Sequence, residues 1–124
     1  MASYKESVIE TFKAAGAIPA NRLVKLTAVD TVALCTVAGE KAIGVSYGSA
    51  AAANDLIEVV TAGGAKLKLA EITGIMKFLS PTVATGEGSL ANAGEFAVAQ
   101  AMESGIVGDI ISVAVAPINI IANE

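Results

Sequence analysis

The chain has 124 residues, the length of one domain, and is 54% apolar but only 4% aromatic, so any core must be built mainly from Ala, Val, Ile and Leu. Eight basic residues against twelve acidic ones give a net charge of −4 with no run of like charge, which excludes the basic footprint of a nucleic-acid binder. The absence of histidine removes Ser-His and Cys-His catalysis and the commonest metal ligand, and a single cysteine makes neither an internal disulfide nor a zinc cluster.

Residues 1–16, MASYKESVIETFKAAG, are more polar than the remainder of the chain and read as an N-terminal arm. Tyr4, Val8, Ile9 and Phe12 lie at loosely helical spacing, and Ser3 with Glu6 forms a capping-box pattern. Four apolar residues are too few for a stable isolated helix, so the segment is either a short docked helix or an extended arm. It carries charges throughout and has no apolar stretch of the kind a signal peptide needs.

Residues 17–124 form the predicted β domain. In RLVKLTAV the period becomes two, with Val24, Leu26 and Ala28 on one face and Lys25 and Thr27 on the other. TVALCTVA comes next, with Cys35 expected as a buried, inert thiol among apolar neighbours, then a turn at Ala38 to Lys41. Ala42 to Tyr47 and Leu56 to Thr61 are further strands, and Gly63-Gly64 is expected as a hairpin turn into Lys66 to Leu69. Residues 71–94 fit one helical turn or an irregular strand, with turns at Gly86 to Ser89 and at Ala93-Gly94. Phe96 to Met102 and Asp109 to Ala116 are strands, and Ile118 to Ala122 is expected as a last edge strand after Pro117. The uncharged run Ile110 to Asn123 is too short to span a membrane, so the chain is expected to be soluble with no membrane partner.

One phrase occurs twice. AIGVSYGSAAAANDLIEVV, from Ala42, aligns with AVAQAMESGIVGDIISVAV, from Ala97, with one residue fewer in the second. Ser49 matches Ser104, Asp55 matches Asp109, Ile57 matches Ile111 and Val59 matches Val113, so polar and apolar positions coincide. Asp55 and Asp109 stand just before strands, where an Asp side chain fixes a turn by bonding the local backbone. The pattern predicts an all-β fold, a compact sandwich or barrel with pseudo-repeated strand units.

No catalytic machinery emerges. The carboxylates sit singly at turn-like places, Gly63-Gly64-Ala65-Lys66 leads into a strand rather than a helix, and GEGS lacks the lysine of a phosphate loop. No cofactor or metal site is expected. What remains is aliphatic content in excess of what a small domain hides, which points to subunit or docking interfaces. The candidate interface residues are Tyr4, Val8, Ile9 and Phe12 in the arm and Ile118, Ile120 and Ile121 near the end.

Val24-Lys25-Leu26, Ile43-Gly44-Val45, Ile57-Glu58-Val59, Ala97-Val98-Ala99 and Asp109 to Val113, with Pro117, together resemble the strand series of the small capsid cement, or decoration, proteins of tailed bacteriophages. The resemblance covers about residues 16–117. Ala20-Asn21 stands where a glycine is often found, and ITGIMKFLSPTVATGEG lacks a tidy Gly-Asp turn. The resemblance implies a homotrimer, made in the host cytoplasm, that binds the major capsid protein on the outer surface of the virion head. There it would stabilise the shell by bridging capsomers, through apolar burial and strand addition by the arm. The alternative is a glycan- or ligand-binding β module of a viral fibre or adhesin. Such sites usually recruit exposed aromatics, and here only Tyr4, Phe12, Tyr47, Phe78 and Phe96 are available.

Overall fold

The computed structural model describes the backbone of residues 7–82 and 84–121, and the side chains up to residue 116. Among these residues the secondary structure is all β, with nine strands and no helix. They are β1 (Ser7–Ala14), β2 (Leu23–Ala28), β3 (Thr31–Leu34), β4 (Gly44–Ser46), β5 (Leu56–Lys68), β6 (Phe78–Pro81), β7 (Gly88–Leu90), β8 (Phe96–Ala101) and β9 (Ile110–Ile121).

The strands close on themselves twice. β1 pairs with β3, β3 with β2, β2 with β4, β4 with β5, and β5 with β1 again, which makes a small barrel. The C-terminal part of β5 then pairs with β9, β9 with β8, β8 with β6, and β6 with β7; a parallel bridge between Leu69 and Gly88 brings β7 back beside the end of β5. Closure leaves few free edges and so removes the usual template for uncontrolled strand pairing.

The two closures are copies of one another. Asn21 N–H donates to Ser46 O at 2.8 Å, and Met76 N–H donates to Ala101 O at 2.7 Å. Asn54 N–H reaches Ala14 O at 2.8 Å, and Gly108 N–H reaches Leu69 O at 2.9 Å. An isolated antiparallel bridge joins Ile18 to Ala50 in one half and Thr73 to Gly105 in the other. Left-handed backbone recurs at matched places: Asn21 and Met76 have φ of 65° and 68°, and Gly39 and Gly94 have 73° and 86°. The duplicated phrase in the sequence is therefore the visible part of a duplication that covers residues 7–61 and 62–116.

Packing obeys the same division. Phe12, Ile18, Val24, Ile57 and Val59 belong to one apolar cluster, which fills the first half. Leu67, Leu79, Ile111 and Val113 hold the positions that match Phe12, Val24, Ile57 and Val59 in a second cluster, which also takes in Leu23, Val45 and Val60 from the outer face of the first half. The second cluster thus runs across the joint between the halves.

Several expectations are corrected. From Ser7 onward the expected arm is a strand of the first barrel, antiparallel to β5 over its length. The reason is the alternation in SVIETFKA, which turns Phe12 and Ala14 inward to burial. Gly63-Gly64 is not a hairpin turn. β5 runs straight through it, and Gly63 (φ 92°) pairs with Ser7 on one side and Val115 on the other. Glycine at this point lets one strand leave the first barrel and open the second. The tail after Pro117 is not a separate edge strand but the continuation of β9, pairing Ile120 with Ala97 and Ile121 with Phe96. The ladder shifts between Ala97 and Ala99 in the region where β9 carries Pro117, which has no N–H to donate. Of the two alternatives for residues 71–94, the irregular strand is the one found, as β6 and β7 rather than a helical turn, and Gly88-Ser89, expected in a turn, lies within β7. Leu26 and Ala28, expected inward, are exposed because the end of β2 projects past the barrel.

Candidate functional site

The acidic residues at turns hold their own backbone. Asp55 Oδ2 accepts from Ala51 N–H and Ala52 N–H, each at 3.1 Å, and Asp109 Oδ2 accepts from Ile106 N–H at 3.0 Å. Glu40 and Glu95 form a second matched pair: Glu40 Oε1 accepts from Thr36 and Val37 N–H at 2.8 and 2.9 Å, and Glu95 Oε1 accepts from Asn92 N–H at 2.9 Å. Sequence reasoning missed this second pair, although the triplet Ala-Gly-Glu at 38–40 and again at 93–95 signals it. Burial pushes the Glu40 carboxyl up, but the Val37 and Thr36 N–H groups and the Lys25 ammonium outweigh it and hold it below its ordinary value. Among the described residues no three His, Cys, Asp or Glu side chains gather as a metal site would require.

The joint between the halves contains the most concentrated charge. Glu87 Oε2 lies 3.8 Å from Arg22 Nη2 and 3.5 Å from Lys68 Nζ, and Arg22 Nη1 donates to Thr85 O at 3.3 Å. Beside it, buried Ser46 donates to Pro19 O at 2.7 Å and accepts from Arg22 N–H at 3.0 Å. A cleft of about 390 Å³ opens here. The ionisable side chains lining it are Tyr47 and Lys66, and Lys66 Nζ donates to Ser112 Oγ at 2.8 Å. The pair is exposed, and Ser112 N–H donates to Glu103 Oε2 at 2.7 Å.

Of the residues expected at an interface, Val8 and Ile9 are exposed on β1, whereas Phe12 is only 6% exposed and belongs to the core of the first half. Tyr4 lies outside the described residues. Ile118, Ile120 and Ile121 lie on β9, and their side chains lie outside the described residues.

The exposed aliphatic surface lies elsewhere. The bridge between Thr73 and Gly105 brings together two loops that carry Ile72, Ile75, Ile106 and Val107, all of them exposed. The matching bridge in the first half, Ile18 to Ala50, is flanked by Ala17, Ala20 and Ala51 to Ala53. One end of the duplicated unit is thus alanine-lined in the first half and aliphatic in the second. Two halves with the same backbone have thus diverged at their tips, and the second tip holds large apolar side chains in water. The signal was present in the aligned phrases, where SAAAAND becomes SGIVGD.

The path of the backbone has a counterpart among solved structures. The fold is similar to that of a bacteriophage head-fibre base. The similarity is to the crystal structure of the N base of head fibre gp8.5 of bacteriophage phi29, with a TM-score of 0.67 over 93% of this chain and 98% of that one, at 14% sequence identity. No family model matches the chain, and no curated protein matches it in sequence. The likeness therefore lies in the path of the backbone, which the duplicated hydrogen-bond set fixes.

Proposed function

We propose that this chain is a non-catalytic structural protein of a bacteriophage virion, attached to the outside of the head, where it bridges capsomers and stabilises the shell as a trimer. The observation that carries this reading is the shared fold with a phage head-fibre base across nearly the whole of both chains. The sequence resemblance to capsid cement proteins points the same way from different data. The apolar end formed by Ile72, Ile75, Ile106 and Val107 is the surface that meets the major capsid protein. Its contact is burial of aliphatic area, repeated in many copies across a shell, so a modest affinity per copy suffices. Val8 and Ile9 offer a second, smaller apolar contact on β1.

Co-sedimentation with expanded heads assembled without this protein tests the reading. The wild-type chain is expected to pellet with heads and to raise their resistance to heat. Ile72→Asp with Ile106→Asp is expected to remain folded and stay in the supernatant. Wild-type protein that stays in the supernatant would overturn the proposal.

A further inference from the structure

Each half of the chain carries two surfaces, and among the described residues only one of them is covered in each half. The turn between β6 and β7 lies against the outer face of the first half. Leu23 N–H donates to Gly86 O at 2.7 Å, Gly39 N–H to Pro81 O at 3.1 Å, and Ala84 N–H to Thr36 O at 2.8 Å. The fit is close: a Cβ on Gly86 would lie 2.6 Å from Leu34 Cδ1 and 2.9 Å from Leu23 O. Arg22 and Lys68 close the joint on Glu87.

The duplication supplies the same two surfaces a second time, unused. The turn of the first half, between β2 and β3, matches the β6–β7 turn, and it stands in solvent with Leu26 exposed and Val29 87% exposed. The outer face of the second half matches the face that the turn covers, and it presents Phe78 where the first half has buried Leu23. Pro81 is buried in the joint, while its counterpart Leu26 is not. The charges also correspond. Lys77 stands at the place of Arg22, and Asp30 stands on the free turn at the place of Gly86, next to the position of Glu87. Both Lys77 and Asp30 are exposed, so a basic group on one free surface faces an acidic group on the other.

We infer that chains of this protein join head to tail, the β2–β3 turn of one chain packing on the Phe78 face of the next in the manner of the joint within each chain, set wider by the Cβ that Asp30 carries where Gly86 has none. The occupant is a second copy because the two free surfaces share the backbone of the two sides of an interface the chain already makes with itself and carry opposite charges. The two sides differ, so the contact is heterologous and propagates until it closes into a ring or extends as a filament. This goes beyond capsid attachment and holds whether or not the protein meets a head.

Sedimentation velocity on pure protein, without heads, tests it with two variants: Leu26→Asp with Val29→Asp on the turn, and Phe78→Asp on the face. Wild-type protein is expected to assemble beyond a dimer at micromolar concentration. Each variant alone is expected to require roughly tenfold or more concentration to associate. An equimolar mixture of the two is expected to form a one-to-one heterodimer, because each variant keeps the surface the other has lost. A monomeric wild type, a variant that assembles normally, or a mixture that stays monomeric would overturn the inference. Charge reversal gives a second readout that spares the core: Asp30→Lys or Lys77→Glu alone weakens assembly, and both in one chain restore it. Failure of the double variant to recover counts against the pairing of these surfaces.

Discussion

Leu23 and Phe78 hold the same place in the two halves, Leu23 opposite Val45 and Phe78 opposite Gln100, yet Leu23 is fully buried and Phe78 is 41% exposed. The difference arises outside each barrel, since among the described residues only the first has its outer face covered by its neighbour. Leu23→Ala is therefore expected to cost about 2–5 kcal/mol of stability, as for other buried leucines. Phe78→Ala should cost well under half of that in the dissociated chain. Urea unfolding of both variants below the association range measures the contrast.

Gly44 is required by contact rather than by conformation. A Cβ there would run into the carbonyl of Val60 on the neighbouring strand, with the Val59 side chain close behind at 3.1 Å. Gly44→Ala is expected to destabilise by at least ~1–3 kcal/mol, because strand β4 would have to move away from β5. Gly48→Ala, where nothing lies within 4 Å, serves as the control and should be close to neutral. Thermal melting of the pair decides the point.

Removing residues 1–14 is expected to unfold the first half, since β1 closes its barrel and carries Phe12 and Ala14 into the core. Circular dichroism of the truncation reports the outcome, and a folded 1–14 deletion would mean that β1 is dispensable for closure.

Glu40 sets an acid limit. Its folded carboxyl titrates below the ordinary value of 4.5, so the stability it adds is complete above that value and is lost as the pH falls through the lower folded value. Glu40→Gln should remove this part of the acid dependence, leaving a flatter stability profile below about pH 4.5. Lys25→Met, which deletes the ammonium 3.1 Å from Glu40 Oε2, should move the acid transition to higher pH. Urea midpoints across this range supply the measurement.

Cys35 is expected to resist modification. It is fully buried, and burial with the nearby Glu40 carboxylate, against the Lys25 ammonium, pushes its thiol up to about 12. Negligible thiolate exists at pH 8, so a maleimide or disulfide reagent should label the native chain only at the rate of global unfolding. Labelling that is fast and independent of denaturant would show an open thiol.

The sequence carried a great deal of the local structure. Alternation in LIEVV and DIISVAV specified strands and their inward faces, because side chains on a strand alternate whatever the strand later packs against. The phrase repeated from Ala42 and Ala97 showed that one unit was used twice, and Asp55 and Asp109 marked its turns. Other features depended on partners distant in the chain. Gly63-Gly64 has the composition of a hairpin turn, and only two simultaneous neighbours, β1 and β9, keep it extended. Phe12 looked like a docking residue until closure of the first barrel buried it. Leu23 and Phe78 are both apolar residues on matched strands, and no local pattern distinguishes them. Local chemistry determined the strands, the turns and the duplication. Which face was covered, and which was left exposed, was decided by how the two barrels stack, since burial is a property of the assembled surface and not of the residue.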